Sequence, residues 1–156
     1  MLDTIEFKIV NPLETKEEWA MDEKEDYPED DIPNVAEIYI NGVEITDIIR
    51  PIELPYCEKE GRPEYAGSYG HNRPDILYKM LENALIEGTY EAEEGVELLC
   101  CRGCGESGCW SIEVYMKEDD KFVYWYRIKH NHREWKYDLS FKFEKEAYHQ
   151  ALKELV

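Results

Sequence analysis

The chain has little positive charge: 18 Lys plus Arg stand against 36 Asp plus Glu, a formal net charge of −18 over 156 residues. A field of that sign repels a phosphate backbone, and no basic stretch interrupts it, so nucleic acid is not an expected partner. Long apolar runs are also lacking. No segment approaches the roughly 18 apolar residues of a membrane span. The start, MLDTIEFKIVNPLETKEE, has neither the basic opening nor the apolar stretch of a secretion signal. The expectation is a cytoplasmic protein with no membrane partner. A glycine-rich phosphate loop, a paired-carboxylate motif and a nucleophile elbow are absent too, which removes common sequence signs of nucleotide binding and hydrolysis.

Cysteines number five, and an odd count in a reducing compartment argues against a disulfide framework. Metal binding, a reactive thiol or plain burial remain. What the chain does have is 43% apolar and 35% charged residues, enough for one packed core under a densely charged surface. The expectation is a single domain over residues 1–156. Negative charge is concentrated: residues 1 to 109 carry 27 acids and nine bases, residues 110 to 156 nine of each. Residues 14 to 31 alone hold ten acids and two lysines. They read as a mobile, solvated segment or, functionally, as an acidic docking surface for a basic protein partner.

Periodicity supplies the elements. Ile5, Phe7 and Ile9 alternate with Glu6 and Lys8, predicting a half-buried strand. In VAEIYINGVEIT, Asn41-Gly42 between two β-rich runs predicts a two-residue hairpin, since both central residues must accept positive φ. Residues 51 to 73 carry three prolines and no period, predicting a long loop. There Tyr56, Tyr65, Tyr69 and His71 are candidates for a ligand or interface surface, the plainer reading being that the tyrosines pin the loop to the sheet. Pro74 opens a helix to about Glu87 whose Ile76, Leu77, Met80, Leu81, Ala84 and Leu85 form a core stripe. Val96 to Cys101 reads as a strand. Residues 110–117 and 121–129 read as a second hairpin, with Lys117 opposite Lys121 and an apolar face of Ile112, Val114, Met116, Phe122, Tyr124 and Tyr126. A strand through Leu139, Phe141 and Phe143 and a helix over residues 144–155 close the chain. The fold class predicted is α+β: a largely antiparallel sheet built from two hairpins and additional strands, with two helices packed on it.

The run LCCRGCGESGCW carries the chemistry. Cys101-x-x-Cys104 is the spacing with which a turn presents two thiolates to zinc, and Cys109 offers a third. A fourth ligand is available in His130, with His132 as the alternative, because the hairpin returns near Cys109. Strict alternation places Cys109 and His130 on opposite faces, which counts against the set. Cys100, in step with Val96 and Leu98, reads as core. Thiol catalysis is the other chemistry, with Cys57 and His71 as a further candidate pair.

Cys104-Gly105-Glu106-Ser107-Gly108-Cys109-Trp110, the aromatic strand after it and the FKFEKEAYHQAL ending together resemble a bacterial protein family marked by a C-G-x-x-G-C-W turn. The resemblance covers about residues 35 to 155. It implies bacterial origin, a shared fold and Cys104, Cys109, Trp110 and His130 as positions of interest, and it carries no established activity. Three functional readings follow. The first is a non-enzymatic cytoplasmic binding or accessory protein with an acidic interaction surface, for example of immunity or inhibitor type. The others are a small zinc-binding protein using the Cys101 to Cys109 turn and a thiol-dependent enzyme.

Overall fold

The structure is a computed structural model that describes residues 2–14, 17–21, 32–87, 95–106 and 108–156. Strand β1 (Ile5–Val10) pairs antiparallel with β2 (Val35–Ile40), running from Ile5 opposite Ile40 to Val10 opposite Val35. The predicted turn follows, with φ of 54° at Asn41 and 80° at Gly42. Its second arm, β3 (Val43–Glu44), is only two residues long. Of the alternating residues in β1, Phe7 is buried while Ile9 is exposed.

Helix α1 (Ile45–Lys59) starts at once, and the Glu44 side chain caps it by accepting from the Thr46 N–H at 2.6 Å. This corrects the long loop expected at residues 51 to 73, whose first part is helical through Pro51 and Pro55. An internal proline costs about 3 kcal/mol or more. Both prolines are exposed, so water reaches the carbonyls left without a donor, while Ile45, Ile49, Glu53 and Cys57 form a buried stripe at four-residue spacing. A 3₁₀ turn (Pro63–Tyr65) and the short β4 (Tyr69–Gly70) follow. Helix α2 (Pro74–Glu87) has the predicted bounds and buries Leu77, Leu81 and Ala84. Its expected glycine cap, Gly88, lies outside the described residues.

Strands β5 (Val96–Cys101), β6 (Ile112–Glu118), β7 (Phe122–His130) and β8 (Phe141–Glu144) join β4 in a five-stranded antiparallel sheet ordered β4-β5-β6-β7-β8. The predicted α+β class and antiparallel pairing hold, but the strands form two sheets in place of the one expected, β1-β2-β3 being a separate three-stranded sheet, and there are additional helical segments. The predicted register of the second hairpin does not. Lys117 faces Tyr124 and Glu118 faces Val123, because Asp119 Oδ1 accepts from the N–H groups of Lys121 and Phe122, each at 2.8 Å, and closes a longer turn. Val123 and Trp125 therefore point inward in place of Phe122, Tyr124 and Tyr126. An extra residue, Arg127 at φ 51°, then bulges between the Glu113–Lys129 and Tyr115–Tyr126 pairs and turns Ile128 and His130 inward.

Helix α3 (Lys145–Leu152) packs Tyr148 and Leu152 on this sheet, with the Trp125 indole N–H donating to the Tyr148 hydroxyl at 3.1 Å. One apolar cluster includes Phe7, Ile38, Ile49, Leu77, Leu99, Trp125 and Tyr148, and so draws on both sheets and all three helices. The sheets also meet at two margins. Asp3 N–H donates to the Lys142 carbonyl at 2.8 Å, and Ala36 N–H to the Asn72 carbonyl at 2.9 Å.

Candidate metal centre

Strand β5 ends on Cys101, and the chain turns back with Gly105 N–H donating to the Cys101 carbonyl at 2.9 Å. This turn brings the thiols of Cys101, Cys104 and Cys109 within 4.8 Å of one another. Cys101 is partly buried, the other two exposed, and all three are unbridged. Burial works against a Cys101 thiolate. Hydrogen bonds from the Cys104 backbone, the Cys104 thiol, the Gly103 backbone and the Cys109 thiol outweigh it and hold the Cys101 thiol below its ordinary value. Cys109, bonded to the Cys104 and Cys101 thiols, is pushed up to about 12. A cation held by the three sulfurs takes the place of the protons that the thiols otherwise carry. The group can hold a metal ion.

The end of β7 braces this turn from behind. Asn131 donates from Nδ2 to the Gly108 carbonyl at 2.9 Å and accepts at Oδ1 from Ser111 N–H at 2.9 Å, and Gly108 N–H donates to Glu97 Oε2 at 3.0 Å. The fourth ligand expected from His130 or His132 is not supplied, since neither joins the thiols in the converging group. The bulge turns His130 into the core opposite Ile112, where its ring stands 4.0 Å from that of Trp110 at 70°. Nδ1 of His130 accepts from His132 N–H at 2.9 Å, so its proton sits on Nε2, which is buried without a hydrogen-bond partner. Burial, then the charges of Arg133 and His132, push His130 down to about 4, leaving it neutral. Nε2 of His132 pairs with the Gly108 carbonyl at 2.9 Å.

Part of the acidic N-terminal segment lies against the same turn. Residues 18–21 form a helical turn, Glu18 N–H donates to the Arg102 carbonyl at 3.1 Å, and Glu17 and Ala20 are fully buried. Trp19 closes over Gly105, where a Cβ would stand 3.1 Å from the indole Cγ and where φ is +70°. Of the segment expected to be mobile and solvated, residues 17–21 are therefore a docked strap, while residues 15, 16 and 22–31 lie outside the described residues. Beside it a cleft of about 280 Å³ is walled by Glu18, Tyr65, Ser68, Cys101 and Trp110, among others. A larger hollow of about 820 Å³, around Lys121, Glu144 and His149, contains none of the thiols and is open and charged.

No family model matches the chain, and no curated protein or solved structure does either. The resemblance through the C-G-x-x-G-C-W turn therefore lends it no activity, and function rests on the residues themselves. Among the described residues no helix is long and apolar enough to cross a membrane.

The four loop candidates separate. Tyr65 walls the cleft, with its ring 6.0 Å from that of Trp110. Tyr56 stacks on Trp135 at 5.5 Å, and its hydroxyl accepts from Lys136 N–H at 3.2 Å. Tyr69 is buried and donates to Glu53 Oε2 at 2.5 Å, as does Tyr137, while Gly67 N–H donates to Glu53 Oε1 at 2.8 Å. Burial pushes the Glu53 carboxyl up, and those three bonds pull it back. His71 is buried against Glu44, 2.8 Å from Nε2 to Oε1, and so makes no pair with Cys57. Burial and then the charges of Glu53 and Glu60 push the Cys57 thiol up to about 11, the wrong direction for a nucleophile. Cys100 is core as expected, its thiol pushed up to about 12 by burial first. Sequence reading missed Glu97 and Asn131 as braces of the turn. Their signal lay only in tertiary placement.

Proposed function

We propose that the protein binds a zinc ion through Cys101, Cys104 and Cys109, with the fourth coordination position completed from outside the thiol group. The observation that carries this reading is the convergence of the three thiols within 4.8 Å on a braced turn. Thiolates favour zinc and other soft ions over calcium or magnesium. Three protein ligands with an open fourth position are the pattern of zinc sites that accept an exogenous ligand, and structural sites usually close all four. The cleft beside Cys101, with Tyr65 and Trp110 as walls, is where such a ligand has room. The net charge of −18 raises the local concentration of cations around the molecule.

Elemental analysis of untagged, reduced protein tests this directly. About one zinc per chain, lost in C104S and C109S, and a melting temperature lowered by chelator are the expected results. Metal-free protein whose melting temperature ignores chelator would sink the reading. Fast alkylation of Cys101 alone in that protein would move the assignment to thiol chemistry.

The charge favours a second reading, an acidic accessory surface for a basic protein, since the excess lies in residues 1 to 109. Association with such a partner weakens as salt rises. Affinity indifferent to salt removes it.

A further inference from the structure

We propose a second cation site, distinct from the thiols, in which His71, Glu44 and Glu37 hold a divalent first-row transition ion through one imidazole nitrogen and two carboxylate oxygens. One ligand atom from each residue lies within 4.8 Å of the others. The three come from different places in the fold. Glu37 is on β2 and Glu44 on β3, two strands that pair through Tyr39 and Glu44, so both carboxylates leave the same sheet face, opposite the buried Ile38 and Ile40. His71 reaches that face from the end of β4.

Each ligand is already held by a separate contact. Glu44 gives Oε2 to Thr46, accepting from its N–H and its hydroxyl, which leaves Oε1 facing His71. Glu37 accepts the Tyr39 hydroxyl on Oε1 at 3.2 Å. Glu17 Oε1 accepts His71 N–H at 2.6 Å, and Glu17 Oε2 stands 3.7 Å from Nδ1 of the same histidine. That Nδ1 is buried without a hydrogen-bond partner, in a residue only 6% exposed.

Nε2 of His71 hydrogen-bonds to Glu44 Oε1 in the metal-free chain, and a metal on Nε2 takes the place of that bond. It fixes the ring proton on Nδ1, toward Glu17, the carboxylate–histidine–metal order in which the outer carboxylate orients the ring. The spacing fits as well. Glu44 Oε1 and His71 Nε2 are 2.8 Å apart as a hydrogen-bonded pair, and they need part only slightly to reach the roughly 3.0 Å that separates neighbouring ligand atoms on an octahedral ion. One imidazole with two carboxylates suits manganese, iron or zinc, whereas the thiols select softer ions. Binding replaces the proton that His71 otherwise carries on Nε2, so one proton is released for each ion bound by protonated protein.

The probe is Mn(II), a poor thiolate partner, added to the full chain and followed by loss of the free-ion electron paramagnetic resonance signal. One ion per chain is expected to bind, at least tenfold more weakly in E37Q, which keeps an acceptor for Tyr39 and sits at the partly exposed rim. E146Q, exposed on α3, should bind as the parent does. Melting temperatures confirm that the variants are folded, and E37D, which withdraws the carboxylate by one methylene, serves if E37Q is not. Equal affinity in the parent and the Glu37 variants overturns the proposal, as does an absence of binding in the parent. Either failure leaves the zinc reading of the thiols standing, since that rests on other residues and another ion.

Discussion

The two buried histidines should give the metal-free protein a stability maximum near pH 6.5, with a limb on each side belonging to one residue. Burial alone would lower the value of His71. The facing carboxylates of Glu17 and Glu44 outweigh it and push His71 up from 6.5 to about 9. A folded value above the unfolded one means stability that is fully present below pH 6.5 and lost as pH rises through about 9. His130 runs the other way, depressed from 6.5 to about 4 by burial and then by Arg133 and His132. Its contribution is present above pH 6.5 and lost as pH falls through about 4. At about 1.36 kcal/mol per pKa unit, each limb is worth about 3 kcal/mol. The assay is urea denaturation of chelator-treated protein from pH 4 to pH 10, for the parent, H71N and H130N, with imidazole NMR to place each titration. Subtracting each variant from the parent removes the background of other acids and thiols. The alkaline limb should vanish from H71N and the acidic limb from H130N. A His71 ring that titrates near 6.5, or difference curves that are flat, would refute the reasoning.

Two further expectations rest on packing. Glu53→Leu leaves the hydroxyls of Tyr69 and Tyr137 and the Gly67 N–H without their acceptor. At about 1–3 kcal/mol each, the loss in urea denaturation should be several kcal/mol, and adding Y69F and Y137F should recover part of it, whereas no recovery would count against hydroxyl pairing as the cause. Gly105→Ala forces a side chain into the left-handed region and against Trp19. It should cost about 1–3 kcal/mol and shift the Trp19 emission, while the same emission as the parent would mean that the strap does not lie on the turn.

How much of this was legible depended on whether the deciding interaction was local. The Asn41-Gly42 hairpin was readable because few residue pairs accept two positive φ values, and α2 because its stripe and Pro74 agree. The thiol turn was visible as spacing. Helix α1 was hidden because Pro51 and Pro55 argue against a helix locally, and only tertiary burial of Ile45, Ile49 and Cys57 reverses that. The β6–β7 register was hidden because one side chain, Asp119, sets the turn. The same slip, with the Arg127 bulge, decides that His130 faces the core. The histidine–carboxylate group could not be found by motif, since residues 17, 37, 44 and 71 come from four separated segments.

The contact between Asp3 and Lys142 has a consequence for the order in which the molecule is assembled. The first strand can pair with the second, and α1 can grow from Glu44, while the rest of the chain is still being made. The join that ties the opening of β1 to β8 must wait until a residue 139 positions further on has emerged. Contacts this distant in sequence slow folding, because the loop between them must close before they contribute anything. The strap docks on a turn more than eighty residues downstream, from Glu18 to Arg102. Trp19 therefore has no turn to settle on until Gly105 has been made, and the strap waits undocked while β1 and β2, the strands on either side of it, can already pair.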